Sequence, residues 1–389
     1  MENYEKNLQL LMDKVDGVQD LDWRTVADMI GLNIHEDSLR KAFATTEYGG
    51  YAVAKYFMDK TADELADDLI DSLQKKKEEE YKERVRLQDA RREYNKNLRV
   101  EARYDNLVDI LKDSLKDISN DDIAPFGEKH NHIENKKSKH AVLMLSDWHY
   151  GALCDSQWNF YNIEVAEQRA QTIVEKTQKY ILSIGITDLV VEVNGDMVEG
   201  EIHVGNRVAS EESVVEQVIG VSKLLAKCIN SLKPYVNSLK VVTTLGNHGR
   251  LQPNKKDAGD ERENFEMLIP EFLKLTLDKD ISIISSQGLD FVKYKCGDKT
   301  ICLAHGHHDK PTKAVDNMVR VYKVIPDEVH LGHLHHMIDR NDSDIHITMN
   351  GGLKGVDDFA LGATRCITKP SQGLIIYGDD RIVIELVAE

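Results

Sequence analysis

Five short stretches of this chain carry the residue types that hold metal ions. They are SDWH, ending at His149, then NGDMVEG at 194–200, LGNHG at 245–249, AHGHH at 304–308 and LGHLHH at 331–336. The first follows the apolar run VLML, so a buried strand ends abruptly in Asp147, Trp148 and His149. Asp147 and His149 are two apart and project to the same side of extended chain, within reach of one ion. Taken alone, the stretch reads equally well as a strand end with a turn-favouring Asp and a partly exposed His. Five such ends make a metal site the economical explanation. Carboxylate, amide oxygen and imidazole without cysteine point to manganese, iron or zinc, whereas purely oxygen cages suit calcium or magnesium. The donors suffice for two ions, and two ions about 3.5–4 Å apart hold a hydroxide between them for in-line attack on phosphorus.

The elements that must position these residues follow from hydrophobic patterning. Strand-like runs AVLMLS, DLVVEVN, KVVTTL, SIISS, FVKYK, TICLAH, EVHLG, IHITMN, GLIIYG and RIVIELV fill residues 140–389. Helical patterns lie between the earlier ones, at about 163–183, 210–231 and 263–277. The reading is an α/β domain whose second half is largely hairpin sheet. In open α/β sheets the carboxyl ends of strands converge on one rim, which is where all five stretches fall. Glycines flank nearly every stretch, as close backbone approach requires.

DWH, GDMVE, GNH, HG and GHLH, in that order, resemble the calcineurin-like metallophosphoesterase superfamily over roughly 140–350. The resemblance implies a four-layer fold, two packed mixed β-sheets flanked by helices, with a binuclear site at the sheet rim. It implies that Asp147, His149 and His335 hold one divalent metal, that Asn247, His305 and His333 hold the other, and that Asp196 bridges them. Manganese is the expected ion, with iron or zinc as alternatives. His248 would carry no metal and would protonate the leaving oxygen, and Glu199 matches the acid that orients that histidine. His307 stands as a replacement for His305 if the strand end is misplaced. Otherwise His203, His307, His308, His336 and His346 read as structural or solvated. Gly200 and Gly249 occupy positions where protein phosphatases of the superfamily carry an Arg and an acid. Phosphate positioning would then fall to Arg250 and Arg207. The segment SDWHYG is similar to the SDWHLG-like starts of SbcCD-type DNA repair nucleases, although those begin almost at the metal motif and about 140 residues precede it here.

Those preceding residues divide into three by texture. Residues 1–60 read as a small helical unit. LDWRTVADMIGLN and HEDSLRKAFATT meet across Gly31 as in a helix-turn-helix, with Ala27 four residues before that Gly. Residues 61–118 contain no Pro and no Gly after Ala62 and are dense in charge, which predicts a long exposed helix or helical hairpin. Its Arg91, Arg92, Lys96, Arg99 and Arg103, interleaved with Tyr94 and Tyr104, would follow a phosphate backbone, and the competing reading is a solvated spacer or a coil that pairs copies of the chain. Residues 119–139 carry Pro125, Gly127 and polar clusters, the chemistry of a linker.

Bulk composition restricts the function classes. With 50 Lys and Arg against 67 Asp and Glu, the formal charge of −17 argues against binding nucleic acid by global attraction, while leaving room for local contacts. No long apolar run and no basic-then-apolar start is present, so neither secretion nor membrane association is expected. Five scattered cysteines read as reduced thiols of a cytoplasmic protein. The resulting expectation is a manganese-dependent phosphodiesterase acting on DNA, a nuclease. The alternatives are a phosphoesterase for small nucleotides or phosphomonoesters, and a non-catalytic DNA-binding subunit.

Overall fold

The computed structural model describes all residues except 1, 45–49, 59–61, 117, 128–138, 203–209, 253–262 and 357–366. Two compact units emerge, Met1–Arg99 and Val100–Glu389.

The first unit contains helices α1 (Glu2–Val15), α2 (Trp23–Met29), α3 (Glu36–Ala44) and α4 (Gly50–Met58), followed by much of α5 (Ala62–Lys116). Leu11, Met12, Val26, Ala27, Leu39, Phe43 and Ala54 form its small core. Asp22 caps α2, its carboxylate accepting from Thr25 N–H at 2.7 Å. Gly31 closes that helix at φ +75°, a left-handed conformation that the absence of a Cβ permits. Sequence patterning had marked α2 and α3 but not α1 or α4.

The second unit begins within α5. Leu107, Val108, Leu111 and Leu115 turn toward the α/β core, and Ile123 and Phe126 join them. Residues 119–127, which composition reads as linker, are therefore held in place: Phe126 N–H donates to Ser231 Oγ at 2.7 Å and Asn230 Nδ2 donates to the Ile123 carbonyl at 2.9 Å. The remainder of that stretch, 128–138, lies outside the described residues.

The chain then runs β1 (His140–Leu145), β2 (Cys154–Asp155), β3 (Phe160–Tyr161), α6 (Ile163–Ile184), β4 (Asp188–Asn194), α7 (Val214–Leu232), β5 (Ser238–Thr244), α8 (Leu268–Thr276) and β6 (Ser282–Ser285). It continues through β7 (Phe291–Cys296), β8 (Lys299–Ala304), α9 (Ala314–Tyr322), β9 (Glu328–Leu331), β10 (Ile338–Asp342), β11 (Ile345–Met349), β12 (Ser371–Tyr377) and β13 (Arg381–Val387). One sheet has the order β13-β12-β1-β4-β5-β6 and the other β10-β11-β9-β8-β7. Both are mixed: β1, β4, β5 and β6 run parallel while β12 lies antiparallel to both β1 and β13, and β9 pairs parallel with both β8 and β11.

Alternate residues of the central strands face different layers, as the period of two requires. Leu143, Val191 and Val241 point toward α6, α7 and α8. Val142, Val190 and Val242 meet Tyr294, Ile301 and Leu303 of the second sheet. Beyond that sheet, Val329, Leu331 and Ile347 pack with Ala314 and Met318 of α9. Helices, sheet, sheet and helix make the four layers. The ten expected strands are present, and the additions that hydrophobic patterning could not mark are the two-residue strands β2 and β3 and β10, which is rich in Asp and Arg.

Candidate metal centre

The strands deliver the polar stretches to one place through an unusual backbone. Asp147, His149, Asp196, His333 and His335 all have positive φ, between 47° and 74°. A left-handed conformation costs a non-glycine residue roughly 1–3 kcal/mol and persists where the surroundings over-determine it. Here the loops lock each other. Asp147 and His149 N–H groups donate to the carbonyls of Gly195 and Asp196 at 3.1 and 3.0 Å, and Leu353 N–H donates to the Asp147 carbonyl at 3.1 Å. Gly246 must lack a side chain because a Cβ there would lie 2.0 Å from Asp196 N.

Two three-residue clusters result. In the first, His335 Nε2 lies 3.3 Å from Asp147 Oδ1 and 3.2 Å from His149 Nε2. In the second, His305 Nε2 lies 3.1 Å from Asp196 Oδ2, with the His333 ring alongside at 5.3 Å between centroids. The two groupings, and the central place of Asp196, follow the division that the motifs imply. A third grouping sets His248 beside His149 and Asp196, with the His149 and His248 rings perpendicular at 4.5 Å. His248 N–H also donates to Asp196 Oδ1 at 2.8 Å.

Divalent ions fit this donor set. His305 Nδ1 is 2.8 Å from the Asn194 carbonyl, a contact that makes it the N–H donor and leaves the Nε2 lone pair on the Asp196 side. That Nε2 and Asn247 Oδ1 are buried without a hydrogen-bond partner, so ligation would satisfy both. Burial opposes charge on His305, yet Asp196 and Asp147 more than offset it and raise its pKa to about 10. The same field that holds a proton there would hold a cation. Burial also opposes charge on Asp196, and the surrounding imidazoles still hold its carboxyl well below the usual range.

Three placements differ from expectation or escaped it. Glu199 meets His248 through its backbone carbonyl, 2.8 Å from His248 Nδ1, while its carboxylate lies 2.8 Å from His149 Nδ1. The expectation that the Glu199 side chain orients His248 is corrected accordingly, because the carboxylate is drawn to a buried cation. That cation is Lys354, 6% exposed, whose Nζ sits 3.5 and 3.4 Å from the two Glu199 oxygens. Arg169 and Asn159 clamp the Lys354 carbonyl at 2.8 Å each. Nothing in GGLKG marks this lysine as other than a loop charge.

Glu266 was likewise missed. Its carboxylate accepts from Met197 N–H at 2.5 Å, Val198 N–H at 3.3 Å and Gly246 N–H at 2.6 Å, tying the loop after Asp196 to the loop before Asn247. Burial, followed by the nearby Asp196 charge, pushes its carboxyl up to about 7. A glutamate beyond its strand, outside the five stretches, carried no local signal.

Of the remaining candidates, His307 belongs to a separate grouping with Asp290 and His308, so His305 occupies the place beside Asp196. Arg250 follows His248 closely and bridges to Asn264. Arg207 and His203 lie outside the described residues. Gly200 explains the missing arginine, since a Cβ there would fall 1.9 Å from the His248 carbonyl oxygen. His336 is half-buried, its Nδ1 2.8 Å from the Leu334 carbonyl.

Comparison with known proteins adds the following. The sequence profile of the YonJ coiled-coil domain matches residues 76–117, a range that takes in the second half of α5. The chain is similar to the SPbeta prophage-derived uncharacterized protein YonJ of Bacillus subtilis (strain 168), 25% identical over 265 residues that span 63% of this chain and 65% of that relative. It thus covers less than two thirds of that relative's length. Solved structures with some likeness include a novel archaeal phosphodiesterase (13% identity, 63% of this chain, 99% of that one, TM-score 0.31) and wild-type Vps29 of Entamoeba histolytica complexed with zinc (12%, 63%, 99%, TM-score 0.30). Site geometry, rather than these likenesses, supports the reading that follows. Among the described residues no helix is long and apolar enough to cross a membrane.

Proposed function

We propose that the second unit is a binuclear-metal-dependent phosphodiesterase and that its substrate is DNA. The observation that carries the enzymatic reading is the convergence of two His/Asp clusters whose ligand candidates hold five left-handed backbone conformations, a cost that packing alone does not require. Asp147, His149 and His335 would hold one divalent ion, Asn247, His305 and His333 the second, with Asp196 between them. Manganese is the proposed ion, iron and zinc the alternatives. When bound, the pair supplies Lewis acidity and an activated water for attack at phosphorus.

The chain's own residues divide the rest. His248 donates its Nδ1 proton to the Glu199 carbonyl, which fixes the ring and leaves Nε2 to pass a proton to the departing oxygen. Glu199 and Lys354 set the opposite face of His149. Arg250 and Arg207 are proposed to meet phosphate oxygens.

Support for DNA comes from the exposed Arg91 and Arg92 of α5, with Tyr94 63% exposed beside them. The acidic first turn of α3, Glu36 and Asp37, favours a second reading, a phosphoesterase for small nucleotides or phosphomonoesters, because a recognition helix would meet phosphates there. The test compares bis-nitrophenyl phosphate, nitrophenyl phosphate and labelled single- and double-stranded DNA on the full chain with manganese. Cleavage of DNA supports the first reading, hydrolysis of the small esters alone supports the second, and no hydrolysis at all overturns both. Pairing of copies through α5 is proposed as well, and light scattering of the full chain reads it directly.

A further inference from the structure

We propose that Asp290, His307 and His308 form a third divalent-metal site, separate from the pair and taking a transition metal that accepts imidazole and carboxylate ligands. Asp290 immediately precedes β7 and His307 and His308 shortly follow β8. These strands pair antiparallel with Phe291 opposite Ala304, so the sheet register brings the three residues together. Each offers one ligand atom within 4.8 Å of the others. Asp290 Oδ2 lies 3.0 Å from His308 Nδ1 and 3.8 Å from His307 Nδ1.

His307 is the independent observation. Its side chain is 4% exposed, and both ring nitrogens are buried without a hydrogen-bond partner. An imidazole packed only for shape would leave both polar atoms unpaired, which native interiors avoid. A cation shared with Asp290 takes up the lone pair. Soft-borderline divalent ions accept this mixture of nitrogen and oxygen donors. A cavity of about 340 Å³, lined in part by Asp290, His308, Asp309 and Asn317, adjoins the cluster and provides a route for a hydrated ion. The His307 ring lies 5.5 Å from that of His305 and 6.1 Å from that of His333, so a third ion would add positive charge beside the pair. The site stands on its own residues, and only its effect on turnover rests on the reading above.

Equilibrium dialysis of the full chain against zinc, after chelation and with metal counted by mass spectrometry, tests the proposal. Wild type should bind one more equivalent than His308→Ala, and one more than Asp290→Asn. His308 is 45% exposed, so its truncation spares the fold even if the Asp290 variant is unstable. Asp196→Asn should lose the pair and keep the equivalent that His308→Ala removes. Failure of the paired-metal reading alone would then leave wild type with one equivalent, still abolished by His308→Ala. Equal metal content in wild type and His308→Ala overturns the third site.

Discussion

His248 Nδ1 lies 2.8 Å from the backbone carbonyl of Glu199, whose carboxylate lies 2.8 Å from His149 Nδ1 on the other side. One residue thus orients two imidazoles with two different groups. Replacing the Glu199 side chain perturbs His149, while the grip on His248 is a property of the backbone.

His248→Ala should lower kcat by about 10²–10⁴-fold with metal content unchanged, the range for loss of a positioned acid. The deficit should shrink for nitrophenyl esters, whose leaving group needs no proton. Parallel rate and metal measurements check this, and undiminished turnover of DNA would remove His248 from the role.

Lys354→Met should destabilise the protein by about 3 kcal/mol, because it strands the Glu199 carboxylate in a buried site without its cation. The double variant with Glu199→Gln should lose less than the two single losses combined. Urea denaturation of the four proteins gives the coupling, and additive losses would mean the 3.4 Å approach contributes nothing.

Glu266→Ala should cost roughly 3 kcal/mol or more by leaving three buried backbone N–H groups unpaired. It should also weaken metal retention, since the loops carrying Asp196 and Asn247 lose their shared tie. Thermal melting together with metal content reads both, and a stable variant with full metal would show the brace to be dispensable.

Stability should fall on the alkaline side through His330. Its two ring nitrogens face Glu192 at 2.8 Å and Glu328 at 3.1 Å, so although burial opposes its charge, the carboxylates raise its pKa to about 9. A raised histidine pKa contributes fully below its unfolded value of about 6.5 and is lost as pH rises through about 9. Burial also opposes charge on Glu328, but His330 and Arg381 hold it at about 2, so its contribution is present above its unfolded value of about 4.3 and is lost as pH falls toward 2. Urea midpoints from pH 3 to 10 should show a plateau between about 4.5 and 6.5 from this network, and His330→Gln should flatten the alkaline limb.

Sequence by itself determined which residues have metal-ligand chemistry and that each follows a strand. Those are local properties: apolar runs mark the strands, and Asp, Asn, His and Gly mark what leaves them. It also determined the order of sheet and helix, apart from polar β10, the two-residue strands β2 and β3, and helices α1, α4 and α9, whose patterns are too brief or too charged to separate from loop. Only the tertiary structure decided partners. Lys354 reaches Glu199 across 155 positions, and Glu266 reaches Gly246 and Met197 from a turn beyond the site. His305 rather than His307 faces Asp196 because the register of β8 against β7 and β9 fixes which histidine points inward. Spacing along a chain sets which side chains share a face, and the meeting of two faces is settled when the sheets pack.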